Sequence, residues 1–236
     1  MIYECLRQPT ILSQALDEVL TSQSWISLNI NPKMNVEPLC NMPLLQSMYA
    51  ETLRLYTSLF TLRSAPYGDL TVCNLTIPKD ELIAVDSRVS AMDSSFWNTR
   101  ATNTDYEGEY PVNHYWAERF LVYPNDPTSG PLRFNASKPR VPAPDVSSHI
   151  TGSEPHFTMD GLAGAWLPYG GGNRQCPGRN FAKNEIILGF AIVLSMLDVE
   201  LLDSDNVEPR KPDLKFYGLG TLPPKGKVPF RVRRRD

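Results

Sequence analysis

The chain is poor in cysteine, with only four in 236 residues. Cys5, Cys40, Cys73 and Cys176 are too few and too widely spaced for the disulfide framework of a small secreted protein. None of them forms a C-x-x-C pair, which excludes the usual cysteine-rich zinc sites. The cysteine usage therefore favours a reducing, intracellular compartment.

Long apolar runs are also missing. The most apolar stretch, residues 186–202, contains Ser195, Asp198 and Glu200 and falls short of the ~20 residues that span a bilayer. The N-terminus has no basic region followed by an apolar run, as a secretory signal would. We expect a soluble chain without a membrane anchor, in which the apolar stretch forms a buried helix.

The third absence is a strong net charge. The formal charge is −3, and the one basic cluster, residues 231–235, is typical of a solvated tail. This balance gives no field that would concentrate nucleic acid, so no nucleic-acid partner is expected. The length suits one domain with a sizeable core.

The apolar pattern predicts helices at three places. Apolar residues recur at spacings of three and four near 10–21, 42–57 and 180–198, and the run of the last helix reaches about residue 202. Residues 21–40 lack this period, which predicts a loop.

The remaining segments predict small antiparallel sheets and irregular chain. Short β-type runs fall between 67 and 90, and again at 214–217 and 228–232. Residues 98–160 are rich in proline and have little regular pattern, which predicts an irregular meander with a disordered part around 136–155.

A glycine-rich loop, residues 167–182, carries the most informative chemistry. Cys176 lies among glycines immediately before an apolar helix. Glycines allow positive φ and the close approach of a flat ligand. The N–H groups of the loop and the helix N-terminus favour a thiolate, and Arg174 adds positive charge. These are the requirements of a thiolate metal ligand.

Two other interpretations of this loop stay open. Cys176 can be a small buried apolar residue, as free cysteines often are. Glycines before a helix can also cradle phosphate. The spacing, however, fits neither G-x-x-x-x-G-K-[ST] nor a strand followed by G-x-G-x-x-G.

The loop resembles the haem-binding signature of cytochromes P-450, F-x-x-G-x-R-x-C-x-G-x-x-x-A. The positions that match are Gly172, Arg174, Cys176, Gly178 and Ala182. Tyr169 stands where the signature has phenylalanine. The resemblance implies haem b, with Cys176 as the axial ligand of the iron. It also implies an incomplete P-450 fold, mainly α with small antiparallel sheets, in a single partial domain over 1–236.

Two further motifs resemble the same family. Glu51 and Arg54 form an E-x-x-R pair, which in isolation would be worth only ~0.2–0.5 kcal/mol. Arg119, in the segment WAERF, resembles the arginine of the family's P-E-R-F element. The resemblance implies that Arg119 joins Glu51 and Arg54 in a buried structural network.

The resemblance also suggests how the cofactor is held and served. Arg63 and Arg174 match family arginines that bind the haem propionates, for which a bidentate guanidinium is well suited. Arg63 taken alone is equally well explained as a surface arginine. The implied partners are an NADPH-dependent P-450 reductase and a small apolar organic substrate.

The sequence also departs from the family pattern. No segment like [AG]-G-x-[DE]-T-[TS] precedes Glu51, so no distal catalytic residue is identified. We therefore expect a fragment with an exposed apolar surface, weak haem binding and little turnover by itself. Asn74 and Asp80 replace turn glycines of the family, which puts the geometry of those turns in question.

Three functions are compatible with these observations. The first is a haem-thiolate monooxygenase that oxidises or hydroxylates a small apolar molecule, in fungal secondary-metabolite biosynthesis by analogy with its proline-rich meander and basic end. The second is a catalytically inactive pseudoenzyme or scaffold. The third is an unrelated phosphate-binding or structural protein. Family members usually reside at the endoplasmic reticulum through an anchor that this chain does not show.

Overall fold

The computed structural model describes residues 1–22, 36–101, 107–133, 154–202 and 209–235. Within these ranges helices alternate with short antiparallel sheets, which confirms the expected α+β class. The helices are α1 Ile2–Leu6, α2 Pro9–Thr21, α3 Glu37–Cys40, α4 Pro43–Tyr56, α5 Ser87–Ala91 and α6 Arg179–Met196. Proline occupies the first turn of α2, α3 and α4, where its missing N–H is not needed.

The strands form one three-stranded sheet and three two-stranded ones. They are β1 Thr57–Arg63, β2 Leu70–Val72, β3 Leu75–Ile77, β4 Ile83–Asp86, β5 Leu121–Val122, β6 His156–Phe157, β7 Leu197–Leu201, β8 Leu219–Thr221 and β9 Phe230–Arg234. Strand β1 lies between β4 and β8, and the pairs are β2–β3, β5–β6 and β7–β9. All pairings are antiparallel.

The main core lies where α4 packs against α2 and α6. Leu45 and Met48 of α4, Val19 of α2 and Ile187 of α6 are completely buried there, and Phe190 nearly so. Each such side chain contributes about 1.5–3 kcal/mol on removal from water. Helix α4 is therefore the central element of the described structure.

A smaller core holds the irregular segment against α4. Trp97, Phe120 and Leu162 form its centre. The hydroxyl of Ser47 on α4 donates to the Ala117 carbonyl over 2.5 Å and accepts the Phe120 N–H over 3.1 Å. The described residues of the meander thus contain little regular structure but have a fixed position next to α4.

Two sequence predictions near the C-terminus are wrong. Helix α6 ends at Met196, and residues 197–201 form β7, because β9 supplies a strand partner that local periodicity cannot reveal. Residues 214–216, predicted as a strand, form a 3-10 turn. Asp213 caps this turn, because its carboxylate accepts the Lys215 N–H over 3.1 Å.

The predicted loop at 21–40 is wrong at its end, because Glu37–Cys40 is helical. Burial of Leu39 and Cys40 in the main core outweighs the weak local helical preference of so short a segment. Most of the predicted disordered part at 136–155 lies outside the described residues.

The turns that contain Asn74 and Asp80 form without glycine. Both residues have left-handed backbone, with φ of 66° and 65°. Asparagine and aspartate tolerate this conformation better than other residues with a Cβ. Asn74 connects β2 to β3 in a tight hairpin whose register pairs Val72 with Leu75.

In the parts of the chain that the structure describes, no helix combines the length and the apolar character that crossing a bilayer requires.

Candidate functional site

The glycine-rich loop is closed by its own backbone. The Cys176 N–H donates to the Tyr169 carbonyl over 3.0 Å, and the Gly170 N–H donates to the Leu167 carbonyl over 3.1 Å. Gly170 and Gly172 have φ of 72° and 66°, which a residue with a Cβ adopts only under strain. These glycines let the chain reverse within eight residues and present Cys176 at the start of α6.

Cys176 is the accessible thiol at this helix terminus. Its side chain is exposed and unbonded to another cysteine, and α6 begins three residues later. Cys5 and Cys40 are buried, and burial raises the pKa of Cys5 to about 12. Cys73 is also exposed but lies in the β2–β3 turn. The loop thus contains the one exposed thiol, among the residues described, that adjoins the N-terminus of a long helix.

The space beside the loop is open. A Cβ built on Gly172 would meet no atom within 4 Å, and one on Gly178 would lie 3.9 Å from the Cys176 sulfur. Phe181, on the first turn of α6, is 73% exposed. The loop thus leaves the backbone at Gly172 and the side chain of Phe181 accessible to a flat apolar molecule.

Arg63 is brought to the same loop by strand β1. Its Nη2 donates to the Gly171 carbonyl over 2.8 Å, and its Nη1 donates to the neighbouring Leu62 carbonyl over 2.7 Å. Arg174 lies in the 3-10 turn of the loop and is exposed. Two guanidinium groups therefore belong to the surroundings of Cys176, although they lie 111 positions apart in the sequence.

The predicted network of Glu51, Arg54 and Arg119 is assembled and fully buried. Arg54 donates to both carboxylate oxygens of Glu51, over 2.7 and 2.8 Å. Arg119 donates from Nε to Oε1 over 3.0 Å, and the Trp116 N–H adds a bond of 3.1 Å. None of the three side chains is exposed beyond 1%.

The remaining donors of the two arginines are also occupied. Arg54 Nη1 donates to the Ala91 carbonyl over 2.7 Å, and Arg119 Nη1 donates to the Asn98 carbonyl. Each guanidinium also lies over an indole ring, of Trp97 and Trp116 respectively, at 5.4 and 5.2 Å. Among the described residues, the hydrogen bonds of this network connect α4 to α5 and to the meander, and none of them reaches the glycine-rich loop.

Burial and neighbouring charges shift the pKa values of Glu51 and Arg119. Burial opposes ionisation of Glu51, but the Arg119 and Arg54 guanidinium groups outweigh it and lower the pKa of this carboxyl. Burial and, to a lesser extent, the neighbouring Arg54 cation lower the pKa of Arg119 to about 10, although the Glu51 carboxylate opposes this shift. The Glu51 carboxylate, shared by two guanidinium groups, is therefore ionised at neutral pH.

Two aromatic residues that sequence reasoning did not single out hold the loop to α4. The Trp166 indole N–H donates to the Ala50 carbonyl over 3.1 Å. The hydroxyl oxygens of Tyr49 and Tyr169 lie 2.7 Å apart in a hydrogen bond. In the sequence Tyr49 occupies an ordinary apolar position of a helix. Its hydrogen bond to a residue 120 positions away has no local sequence pattern that would predict it.

Comparison with known proteins decides the family. The family model described as cytochrome P450 matches residues 1–101 and 156–230, which is well over half of the chain. The chain belongs to the cytochrome P450 family. The reading as an unrelated phosphate-binding protein is thereby wrong, and the resemblance stated from the motifs is confirmed.

Several curated relatives match this chain over most of its length. Cytochrome P450 monooxygenase efuG of Hormonema carpetanum is 43% identical over 204 residues, covering 86% of this chain and 33% of the relative. Cytochrome P450 monooxygenase fsoE of Humicola fuscoatra is 40% identical over 237 residues, covering 99% and 38%. Cytochrome P450 7A1 of Sus scrofa is 26% identical over 243 residues, covering 98% and 40%. The chain thus spans between a third and two fifths of the length of these relatives.

Membership of the P450 family implies haem as cofactor, and the described residues fit such a group. The exposed Cys176 thiol is a soft ligand of the kind that haem iron accepts. The backbone at Gly172 is open to a flat ring, and Phe181 offers an exposed apolar side chain on the first turn of α6. Arg63, held at Gly171, provides a cation within the same loop region for an anionic substituent.

Proposed function

We propose that this chain is the haem-binding, proximal part of a haem-thiolate monooxygenase, forming a single partial domain over residues 1–236. Cys176 is its axial iron ligand, and haem b is the cofactor. The observation that carries the proposal is an exposed thiol in a glycine-rich loop at the N-terminus of an 18-residue helix. Tyr169, Gly172 and Gly178 shape the loop around that thiol.

In this proposal Arg63 and Arg174 bind the two haem propionates. A guanidinium has five N–H donors, so Arg63 can accept a carboxylate while it keeps its bond to the Gly171 carbonyl. Arg174 is exposed and two residues from Cys176, close enough in sequence for the same loop to serve both groups. Charge-assisted bonds of this kind are about twice as strong as neutral ones.

The residues of this chain have distinct tasks toward the bound group. The loop and the start of α6 hold the Cys176 backbone in the position from which its sulfur would bind the iron. The network of Glu51, Arg54 and Arg119 fixes α4 and the meander without contacting the cofactor. When bound, haem supplies the iron at which molecular oxygen is activated.

The overall reaction that we propose is the insertion of one oxygen atom into a C–H bond of a small apolar molecule. Molecular oxygen, two electrons and two protons yield the hydroxylated product and one water. An NADPH-dependent P450 reductase supplies the electrons. The names of two fungal relatives as monooxygenases support this reaction class, and we assign the substrate to secondary metabolism by analogy with fungal members.

The test is a hemin titration of the whole chain and of two matched cysteine variants. Because Cys176 and Phe181 are exposed, the chain by itself should bind haem weakly and turn over little. With excess hemin, however, its ferrous–CO complex should show the shifted Soret band of thiolate ligation. Cys73→Ser removes the other exposed thiol and should keep the band, whereas Cys176→Ser should lose it.

The band provides a clear decision. If Cys176→Ser retains it, or if Cys73→Ser loses it instead, Cys176 is not the ligand. If neither the whole chain nor Cys73→Ser binds hemin through sulfur, the haem assignment is overturned, and the reading as a pseudoenzyme or scaffold is favoured.

A further inference from the structure

We propose that Tyr49 is a positioning residue for Cys176, acting through the hydroxyl of Tyr169. The inference rests on the proposed role of Cys176 as a thiolate ligand. Tyr49 lies on α4, and Tyr169 begins the cysteine loop. Neither residue contacts the iron in this proposal. Their task is to fix where the loop, and with it the thiol, lies relative to the central helix.

The backbone of Tyr169 sets the position of Cys176 directly. Its carbonyl accepts the Cys176 N–H over 3.0 Å, so a displacement of residue 169 moves the backbone of residue 176. The intervening residues include Gly170 and Gly172 at positive φ, which resist such motion poorly. The position of the Tyr169 side chain therefore influences the position of the Cys176 thiol.

The side chain of Tyr169 is held at two points. Its ring meets that of Trp166 edge to face, with centroids 6.5 Å apart, and its hydroxyl pairs with the hydroxyl of Tyr49 over 2.7 Å. Tyr49 is 5% exposed and packed in the main core, so its end of the pair is rigid. Tyr169 is only partly buried, and the bond to Tyr49 fixes the position of its hydroxyl.

Either hydroxyl can be the donor in the bond between Tyr49 and Tyr169. Desolvation, together with the bond to Tyr169, raises the pKa of Tyr49. Tyr49 therefore stays protonated and can donate at any pH at which the protein is folded. The hydroxyl at Tyr169, where the family signature has phenylalanine, adds a polar anchor that phenylalanine cannot provide.

The experiment compares amide hydrogen exchange in Tyr49→Phe, Tyr169→Phe, the double variant and a matched control. The control is Tyr115→Phe, which removes a hydroxyl that donates to the Met48 carbonyl of the same helix over 3.2 Å. Exchange of the Cys176 N–H should accelerate about three- to tenfold in both single variants, as expected for loss of one net hydrogen bond. The double variant should match the singles, because one bond is lost in each.

The amides of α4 and α6 report global opening of the protein. Their exchange rates should be the same in the variants as in the natural chain. A purely structural role would accelerate these amides together with that of Cys176, and this result would overturn the proposal. Unchanged Cys176 exchange in either single variant, or equal acceleration in Tyr115→Phe, would overturn it as well.

A second readout uses the hemin-saturated protein. The fraction of the ferrous–CO complex with the thiolate-shifted band should fall in Tyr49→Phe and Tyr169→Phe but not in Tyr115→Phe. The exchange measurement needs no haem. A chain that fails to bind hemin would therefore refute the proposed function and leave the positioning of the loop testable by itself.

Discussion

Arg119 donates from its Nε to Oε1 of Glu51 over 3.0 Å, although 68 residues separate them and neither side chain is exposed. This pair connects the meander to the central helix at one buried point. Since Arg54 donates to the same carboxylate, Glu51 is the shared acceptor on which the local arrangement depends.

Replacing Arg119 by methionine should destabilise the fold strongly. The change leaves Glu51 with one guanidinium instead of two and removes bonds to several backbone carbonyls. Breaking one partner of a buried ion pair costs about 3–5 kcal/mol. Urea unfolding of the variant should show this loss. Arg231→Met breaks the exposed pair with Glu200 and should cost less than about 1 kcal/mol. Equal losses in the two variants would contradict the assigned role.

Acid should remove the contribution of Glu51. Its pKa in the folded chain lies below the ordinary value, because two guanidinium groups outweigh its burial. A lowered carboxyl pKa gives stability that is complete above the unfolded pKa, about 4.3, and is lost as the pH falls through the folded value. The stability advantage of the natural chain over Glu51→Gln should therefore shrink below about pH 4. A pH-independent difference between pH 7 and pH 3 would show that ionisation of Glu51 is irrelevant.

Helix α4 should depend on a carboxylate from another helix. Glu18 of α2 accepts the Leu44 and Leu45 N–H groups over 2.9 Å each and so completes the first turn of α4. Glu18→Ala leaves both donors unpaired, which should cost about 1–3 kcal/mol in thermal or urea unfolding. Asp17→Ala, at the exposed neighbouring position, is the matched control and should change stability by less than about 0.5 kcal/mol.

Gly172→Ala should separate stability from haem binding. The φ of 66° makes alanine strained by roughly 1 kcal/mol, and no neighbouring atom adds a clash. The added methyl would, however, occupy the space proposed for the haem ring. The hemin affinity should therefore fall about tenfold or more, and a tenfold loss corresponds to about 1.4 kcal/mol of binding free energy. Gly164→Ala, at φ 84° in open space elsewhere, should show the strain without the loss of affinity. Similar hemin affinities for the two variants would place the ring away from Gly172.

The sequence was most informative where the signal is local. Helices α2, α4 and α6 begin within two residues of their predicted starts, because apolar periodicity and first-turn prolines mark them. The Glu51 network was predicted only through the family resemblance. The spacing of Glu51 and Arg54 would equally describe an exposed pair, and Arg119 is too distant in sequence for any local rule to pair it.

The rest depends on partners that are distant in sequence. Strand β7 forms because β9 pairs with it, with Val199 opposite Val232. No pattern within residues 197–201 predicts this pairing. The Tyr49–Tyr169 bond likewise joins two residues whose individual patterns indicate only apolar packing. The assignment of Arg63 was ambiguous in sequence, and its position at the Gly171 carbonyl depends on how β1 is placed in its sheet.

Helix α4 passes into β1 between Tyr56 and Thr57 without a single intervening residue. The chain therefore has no spare length there to absorb an insertion or deletion. One residue added within α4 would turn everything after it by about 100° around the helix axis. Arg63 would then point away from Gly171, and Ser58 would no longer accept the Gly218 N–H. Length variation among homologues should accordingly avoid residues 43–63, and an alignment that places a gap there should be regarded as an error of alignment.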